Sequence, residues 1–354
     1  MDRCNILKSA NRFNCVVGFD GFLDKIVEAV GRRDGLGKNY EKIETIAEFA
    51  DRIALASGRS TNIEFFVKEI RIGGNAVLMA NALADLGVNT GFIGPIGKHD
   101  ENIFRKFSQK TRALSIGEPG ETTAVEFNDG KILFGITSPL DSVTFQRIID
   151  EVGQEVLVEM VESADLVAMV NWTMIPAMDD IMNSLQEEIV PNLGNKPRFY
   201  FFDLADPEKR SQRDKKLAVE QIAGFGKYGT TVLSLNVKEA QQICNLFDEF
   251  SMGESRADMT EAAKIIGGCS GINKIVIHGI GCSACWDATG VSFVDGFRVD
   301  NPITSTGGGD VFNAGFSLAM LAGETDENCM MFANEISSKY VRGLAINEIN
   351  TWSP

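Results

Sequence analysis

Three consecutive glycines, Gly307, Gly308 and Gly309, stand directly before Asp310 and an apolar run of helical character. Glycines ahead of a helix leave the backbone free to turn several N–H groups toward one point. The first helical turn adds unpaired N–H groups and a partial positive charge, so this segment could bind a phosphate group. Asp310 would place a carboxylate beside that anion, where it could take a proton from a hydroxyl. A glycine-rich loop in which Asp310 only caps the helix is the competing interpretation.

An amide and a carboxylate occur together at Asn236 and Glu239, directly after the apolar segment 230–235. If that segment is a strand followed by a helix, both side chains lie in the first helical turn, at the sheet edge where ligands bind. A carboxylate there suits Mg²⁺, which keeps most of its waters and needs only one or two protein carboxylates. Glutamate is also common in first helical turns that bind no metal, so both interpretations stay open.

A second glycine turn, Gly73-Gly74-Asn75, stands between a strand predicted over 62–72 and the helical run 76–87. Its backbone amides and its side-chain amide could bind the hydroxyl groups of a ligand. A tight strand-to-helix connection without any ligand is the competing interpretation.

The overall charge restricts the partners of this chain. Its 34 basic and 49 acidic residues give a net charge of −15, which disfavours binding to nucleic acid and to anionic membranes. Sugars and other small molecules remain possible partners. The sequence has no signal-like N-terminus and no apolar run of about 18 residues, so we expect a cytoplasmic protein.

Side chains that usually bind metals or act as nucleophiles are scarce. The seven cysteines are scattered and odd in number, which indicates a reducing compartment. Cys282 and Cys285 form a CxxC without a second pair, and we interpret them as strand residues rather than half of a zinc site. His99 and His278 are the only histidines, which leaves few ways to build a Ser–His–Asp triad. Carboxylates and backbone amides are therefore expected to carry the chemistry.

Segments of strand and helix character alternate along the chain. We predict strands over 13–19, 62–72, 88–96, 165–171, 198–204, 230–235 and 273–278. We predict helices over 40–57, 76–87, 99–110, 144–163, 177–189, 207–223, 237–248, 258–268 and 326–342. Turn residues indicate one hairpin within 114–136 and another within 283–296. This alternation predicts an α/β fold with a doubly wound, mostly parallel sheet, helices on both faces, and ligands at the carboxyl ends of the strands.

In combination these motifs resemble the PfkB carbohydrate kinase family, also called ribokinase-like. The resemblance rests on the glycine triplet with its aspartate, the earlier NxxE, the GGNA turn before ALADLG, and the N-terminal GFDGFLD. Their order and spacing match over about residues 13–345. The resemblance implies one kinase domain over 1–354, with a β-lid formed by about 20–34, 62–72 and 114–136 that closes over the sugar.

The resemblance also implies the activity, which is ATP- and Mg²⁺-dependent phosphoryl transfer to a hydroxyl of a sugar or sugar-like molecule. Asp310 resembles the catalytic base, and Gly307, Gly308 and Gly309 resemble the anion hole under the γ-phosphoryl group. We expect the Asp310 carboxylate to stay ionised at the helix N-terminus. A weak base suffices there, because phosphoryl transfer through a loose transition state depends mainly on positioning and charge neutralisation.

The acceptor-binding residues follow from the same resemblance. Gly73, Gly74 and Asn75 look like the turn that holds the acceptor hydroxyls. Asp24, and secondarily Asp20, resembles the N-terminal aspartate that grips two sugar hydroxyls.

The nucleotide-binding residues lie in the C-terminal half of the chain. Asn236 and Glu239 resemble the pair that organises Mg²⁺ near the ATP phosphates, with Glu239 acting through water. Asn334 is a candidate neighbour of the adenine. His278, Gly279 and Gly281 stand where many members have Thr-x-Gly, and His278 is either a phosphate contact or a strand-end residue with a structural role.

Two segments depart from the family pattern. Residues 304–310 read Thr-Ser-Thr-Gly-Gly-Gly-Asp, where most members have Asp-Thr-Thr-Gly-Ala-Gly-Asp. The missing first aspartate argues against the monovalent-cation site that is frequent in the family. Residues 202–207 follow the family DxNxR only in part, and no role is assigned to them.

Two other functions fit parts of the sequence, and a third is excluded. A nucleoside kinase has the same fold and would stack an apolar surface on the base of its acceptor. A non-catalytic member that binds sugar or nucleotide would fit the altered motifs but would not need Asp310. A nicotinamide-dependent dehydrogenase is excluded, because no GxGxxG follows the first strand. The resemblance further implies a possible homodimer in which two lids pair.

Overall fold

The computed structural model describes residues 2–37, 39–98, 103–251, 253–300, 302–304 and 306–348. Within these ranges the strands are β1 Asn14–Gly18, β2 Phe22–Arg33, β3 Tyr40–Lys42, β4 Phe65–Gly73, β5 Asn89–Gly94, β6 Arg112–Ser115, β7 Gly120–Phe127, β8 Gly130–Ile136, β9 Leu166–Val170, β10 Phe199–Asp203, β11 Thr230–Asn236, β12 Lys274–Gly279, β13 Cys282–Asp287 and β14 Gly290–Asp295. The α-helices are α1 Arg3–Ser9, α2 Ile46–Ala54, α3 Asn75–Asp85, α4 Arg105–Ser108, α5 Phe145–Val152, α6 Gln154–Ser163, α7 Met178–Ser184, α8 Gln212–Gly224, α9 Val237–Cys244, α10 Arg256–Ser270, α11 Gly308–Leu321 and α12 Asp326–Val341.

A large sheet forms the centre of the molecule and confirms the predicted α/β fold. Within the described part of the chain, its strand order is β14-β13-β12-β11-β10-β9-β1-β5-β6. All pairs from β12 to β6 are parallel, and the β13–β14 hairpin joins β12 antiparallel at one edge. Both faces of the central strands are covered, as the wholly buried β9 shows.

A separate small sheet consists of β2, β3, β4, β7 and β8. Strand β2 is its centre, since it pairs with β3, β4 and β7. The predicted hairpin at Asn128-Asp129-Gly130 is confirmed as the β7–β8 connection. Part of the segment assigned to the lid belongs elsewhere, because β6 extends the large sheet beside β5 and the small sheet resumes only at β7.

The helix predicted over 40–57 is wrong at its start. Residues 40–42 pair with β2 as a strand, and α2 begins only after Thr45, whose side chain caps it. Phe49 on this helix packs against Phe127, with their ring centroids 5.3 Å apart. Together with Val27 these residues give the small sheet a hydrophobic core of its own. The helical periodicity of the sequence correctly predicts α2. The segment before α2 is a strand because it pairs with β2.

Other predicted elements differ mainly at their ends. The helix predicted over 144–163 divides into α5 and α6 at Gly153, whose φ of 87° interrupts the helical backbone. The helix predicted over 207–223 starts late, because Ser211 forms a capping box with Asp214. Of the helix predicted over 99–110, residues 99–102 lie outside the described residues and α4 covers only four. The N-terminal α1 was not predicted.

Helix α11 connects the glycine triplet to the core. It is buried along nearly its whole length between α3 and α12. A Cβ on Gly315 would come within 3.0 Å of the Cα of Ala333 in α12, so glycine permits this close helix contact. The N-terminus of α11 is consequently held in a fixed position relative to the large sheet. No helix in the described part of the chain is long and apolar enough to cross a membrane.

Candidate active site

Two cavities meet at the N-terminus of α11. The first, which we call the acceptor cavity, has a volume of about 230 Å³ and lies between the small sheet and the large sheet. Five predicted residues line it: Asp24, Gly74, Asn75, Gly307 and Asp310. The second, which we call the nucleotide cavity, has a volume of about 470 Å³. Seven predicted residues line it: Asn236, His278, Gly279, Gly281, Gly308, Gly309 and Asn334. The glycine triplet thus borders both cavities.

The start of α11 has the geometry expected of an anion hole. Gly307 has a φ of 89° and precedes the first helical residue, so the turn needs a residue that tolerates the left-handed region. The hydroxyl of Ser337 donates to the carbonyl oxygen of Gly308 at 2.8 Å, and Tyr340 donates to that of Thr306 at 3.2 Å. These bonds from α12 engage the two carbonyl oxygens. The N–H groups of the first helical turn stay available to a ligand. Ser305 lies outside the described residues.

Asp310 and Asn75 lie side by side on the wall of the acceptor cavity. The Asn75 side-chain amide donates to Asp310 Oδ1 at 2.9 Å. This bond joins the first turn of α3 to the first turn of α11 and orients the carboxylate toward the cavity. The arrangement gives a proton acceptor with a fixed direction beside an anion-binding helix end.

Burial sets the protonation of Asp310. Only 7% of the residue is exposed. Burial raises the pKa of Asp310 well above its usual value, and the negative charges of Asp203 and Asp20 raise it further. The hydrogen bond from Asn75 acts in the opposite direction. Burial and the neighbouring carboxylates therefore oppose the ionised form that is expected from the sequence at this helix end.

Asp20 lies beneath the acceptor cavity and does not line it, in contrast to the prediction. Its carboxylate accepts hydrogen bonds from the backbone N–H groups of Asn75 at 3.0 Å and Ala76 at 2.6 Å, and from the side chain of Asn171. It is fully buried. Gly74, with a φ of 95°, begins α3 without a side-chain cap, and Asp20 takes over that function.

Asp24 lies on the wall of the acceptor cavity, in β2 of the small sheet. Burial raises its pKa, while the charges of Arg71 and Lys131 and a hydrogen bond with Thr122 act against that increase. Gly73 does not line the cavity but packs directly against this carboxylate, so that a Cβ at position 73 would collide with it. The glycine therefore leaves space for Asp24 rather than for a ligand.

His278 closes one wall of the nucleotide cavity. Its ring packs on Phe312 with centroids 4.9 Å apart, and burial lowers its pKa to about 4. The imidazole is therefore neutral at physiological pH. The Asn334 side chain, which also lines this cavity, donates to Ser283 Oγ at 2.9 Å, and this bond fixes its direction.

Glu239 does not line either of the two cavities. Its two carboxylate oxygens accept the backbone N–H groups of Asn236 and Asp206, each at 2.8 Å. Asn236 in turn accepts from the Glu239 N–H at 3.0 Å, which completes a capping box for α9. The structure therefore places Glu239 behind the nucleotide cavity, where it organises the loop after β10 and the start of α9.

Sequence reasoning missed a row of hydrogen-bonded polar side chains at the carboxyl ends of β10 and β11. Asp203 accepts from Asn313 of α11 at 2.9 Å, and Asn313 accepts from Ser234 at 2.6 Å. Burial raises the pKa of Asp203, and the charge of Glu239 raises it further. The signal was present, because Asp203 is the last residue of an apolar strand.

Asn171, Arg71 and Thr122 also line the acceptor cavity and were not predicted. Asn171 follows β9 directly and has a φ of 61°, which is uncommon for a residue other than glycine. Its position at a strand end was a usable signal. Arg71 and Thr122 occur within small-sheet strands, and nothing in their local sequence distinguishes them.

The described residues contain no group of three or more His, Cys, Asp or Glu side chains that could hold a metal ion. Cys282 and Cys285 are buried strand residues, and all seven cysteines are free. A Mg²⁺ held mainly by nucleotide phosphates and water needs no such cluster. The charges of Asp203 and Glu239 raise the pKa of Asp310, and the charge of Glu239 raises that of Asp203, so a nearby cation would stabilise the charged forms of these carboxyls. The residues thus fit an ion bound through water.

Comparison with known proteins gives a consistent result. A family model described as prokaryotic ketohexokinase matches residues 3–348. A ketohexokinase from Haloferax volcanii is 29% identical over 327 residues, which cover 92% of this chain and 86% of that protein.

Solved structures show the same fold at low sequence identity. A ribokinase from Arabidopsis thaliana, solved with ribose and ATP, aligns with a TM-score of 0.62 at 17% identity and covers 95% of both chains. A ribokinase from Thermotoga maritima aligns with a TM-score of 0.60 at 15% identity over 93% of both chains. An adenosine kinase from Sinorhizobium meliloti aligns with a TM-score of 0.61 at 15% identity, over 95% of this chain and 94% of that one.

Proposed function

The chain belongs to the prokaryotic ketohexokinase family, and we propose that its acceptor is a ketohexose such as fructose. It is a ribokinase-like carbohydrate kinase, a phosphotransferase that uses ATP and an alcohol group of a sugar, as the sequence predicted. We place the family within the PfkB group on the motifs described above.

One observation carries the assignment of the reacting groups. The Asp310 carboxylate lies on the wall of the acceptor cavity, while Gly308 and Gly309, the two residues before it, line the nucleotide cavity. A phosphoryl group that passes from one cavity to the other must cross the N-terminus of α11. In this proposal Asp310 accepts the proton of the acceptor hydroxyl, and the N–H groups of the glycine triplet neutralise the oxygens of the transferring group.

The size and polarity of the acceptor cavity favour a sugar. Its volume of about 230 Å³ is below the roughly 300–1,000 Å³ typical of pockets for drug-sized ligands. Asp24, Asn75 and Asn171 offer hydrogen-bonding groups on different sides. In this proposal Asp24 and Asn75 bind sugar hydroxyls, and Gly73, Gly74 and Asp20 hold the turn that positions Asn75. A nucleoside would need a larger apolar surface for its base.

Nucleotide and Mg²⁺ are assigned to the other side of the glycine triplet. The cavity lined by His278, Gly279, Gly281 and Asn334 would hold ATP, with Asn334 near the base. Mg²⁺ would neutralise charge on the phosphates, and Glu239 with Asn236 would orient its waters from behind the cavity. Position 304 carries threonine where most members have aspartate, which supports activity without a monovalent cation.

Three further expectations belong to this proposal. The outer face of the small sheet exposes apolar side chains, including Phe134 and Ile136, which supports a homodimer through the small sheet. Seven free cysteines support a cytoplasmic location, where thiols stay reduced. The net charge of −15 supports the absence of nucleic acid or membrane partners.

The test is an ADP-release assay with MgATP and a panel of ketohexoses, aldoses and nucleosides. We expect turnover with a ketohexose, and we expect Asp310→Asn to lower kcat by on the order of 10² to 10⁴ without loss of fold. Asp150→Asn, an exposed change on α5, is the matched control and should keep full activity. Turnover with nucleosides but with no sugar, or an Asp310→Asn variant that stays within a few-fold of the wild type, would refute the proposal.

A further inference from the structure

A third cavity of about 470 Å³ lies under the small sheet and adjoins the acceptor cavity. Its charged lining residues are Lys42, Lys68, Arg71, Lys131, Glu28 and Glu126. Four positive and two negative side chains leave a formal charge of +2. The rest of the chain brings the total to −15, so this lining has the opposite sign to the protein as a whole.

The contacts within the lining distribute these charges unevenly. Lys68 lies 3.5 Å from Glu28 and 3.2 Å from Glu126, so one cation engages both carboxylates. The other three cations each donate to a neutral side-chain oxygen: Lys42 to Asn128 at 2.8 Å, Arg71 to Thr304 at 3.3 Å, and Lys131 to Thr306. Among the described residues, Lys42 and Arg71 form no ion pair.

Arg71 and Lys131 lie close enough to repel each other. Burial lowers the pKa of Lys131, and the charge of Arg71 lowers it further, against the opposite effects of Glu126 and Asp24. Two cations held together in a half-buried position are stabilised by any anion that binds between them. The cavity is thus complementary to a negative group.

The third cavity continues into the acceptor cavity. Ile26, Arg71, Ala124 and Thr306 line both of them. A single ligand could therefore have its hydroxyls near Asp310 and an anionic group near Lys42 and Lys131.

We propose that the third cavity binds a phosphate monoester, namely the phosphate of a sugar phosphate whose polyol part occupies the acceptor cavity. A phosphate carries up to two charges, which match the charge of +2, and its oxygens can accept hydrogen bonds from donors on several sides. The donors here come from β3, β4 and β8, which surround the cavity on different strands. The proposal rests on the proposed function only in treating the acceptor cavity as the sugar site.

The test is calorimetric titration of the full chain without nucleotide, at constant ionic strength. The ligands are fructose, fructose 1-phosphate, fructose 6-phosphate and inorganic phosphate, so that both ends of the sugar are represented. We expect at least one fructose phosphate to bind on the order of tenfold tighter than fructose. Lys42→Gln, which removes a cation from the third cavity only, should weaken that binding by on the order of tenfold.

Lys25→Gln is the matched control, because Lys25 pairs with Glu121 and does not line the third cavity. It should leave the binding of fructose phosphates unchanged, and Lys42→Gln should leave the binding of fructose unchanged. Inorganic phosphate that binds as tightly as the sugar phosphates, with the same loss in Lys42→Gln, would support the anion site with free phosphate as its ligand. Fructose phosphates and inorganic phosphate that bind no tighter than fructose would overturn the proposal, as would equal losses in the two lysine variants.

These titrations contain no ATP and do not depend on turnover. Failure of the proposed function would be seen in the ADP-release assay. Failure of the anion site would be seen only in the binding of the phosphates.

Discussion

The protonation of Asp310 should respond to a change at Asp203, which does not line the acceptor cavity. Asp203→Asn removes one negative charge and keeps the shape of the side chain. The hydrogen-bonded chain can reverse, because the Asn313 amide can turn and donate to Ser234 instead of Asp203. We therefore expect the fold to survive and the pKa of Asp310 to fall.

The size of the change follows from the geometry. Asp203 binds Asn313, and Asn313 lies three residues after Asp310 in α11. The side chains of Asn313 and Asp310 are therefore neighbours on one helical face, which brings the carboxyl group of Asp203 close to that of Asp310. Two carboxylates roughly 7 Å apart interact by about 2 kcal/mol at an effective dielectric constant of 20. That energy corresponds to between about one and two pKa units. Burial and the charge of Glu239 raise the pKa of Asp203 to about 8, so most of this carboxyl is neutral near pH 7. The pKa of Asp310 is therefore expected to fall by less than the full interaction of two charges would give.

The assay is the pH dependence of kcat/KM for the sugar at saturating MgATP. The rate should rise with pH as Asp310 loses its proton, and in Asp203→Asn this rise should occur at lower pH. Asn75→Ala should move it in the opposite direction, because the hydrogen bond from Asn75 lowers the pKa of Asp310. Asp179→Asn, a half-buried carboxylate that accepts from Trp172 and does not contribute to the shift of Asp310, is the control. An unchanged profile in Asp203→Asn, or a move to higher pH, would refute the electrostatic reasoning.

Two further predictions concern stability and acceptor binding. Because the folded state raises the pKa of Asp310, the wild type loses stability as pH rises from the usual carboxyl range through the raised pKa. Asp310→Asn should therefore have a higher Tm than the wild type at pH 7 and the same Tm below about pH 4, as thermal melts at a series of pH values would show. A lower Tm of the variant at pH 7 would mean that the carboxylate stabilises the fold. Gly73→Ala should push the Asp24 carboxylate out of place and lower kcat/KM for the acceptor by on the order of tenfold or more, mainly through KM. Gly135→Ala, where the nearest atom to a new Cβ is 3.8 Å away, is its control, and equal kinetics in the two variants would contradict this role of Gly73.

Much of the fold could be predicted because it depends on local patterns. Apolar runs bounded by glycine or capping residues gave β9, β10 and β11 within about one residue of their observed ends. The β7–β8 and β13–β14 hairpins followed from turn residues. The pairing of Tyr40 with β2 could not be read in this way, since strand pairing depends on a partner distant in sequence.

The residues of the candidate site also differ in whether the local sequence could predict them. Gly307, Asp310 and Asn75 occur in short motifs, and the structure brings them into one cavity. Asp20 and Glu239 also occur in motifs, yet their carboxylates are occupied by backbone N–H groups, which only coordinates can show. Arg71 reaches the site from the middle of a small-sheet strand, and its contact with Thr304 spans 233 residues of sequence. Residues of this kind leave no local signal.

The division between the two sheets has a consequence for how such an enzyme can diverge. Asp24, Arg71 and Thr122 belong to the small sheet. The glycine triplet lies at the start of α11, and the nucleotide cavity is lined by β12 and by helices that pack around the large sheet. Phe49 and Val27 give the small sheet its own core, so substitutions there can be absorbed without repacking α11. Natural variation could therefore alter which sugar is accepted while the transfer chemistry is inherited unchanged. Substrate range and catalytic mechanism would then evolve as separate characters within one gene.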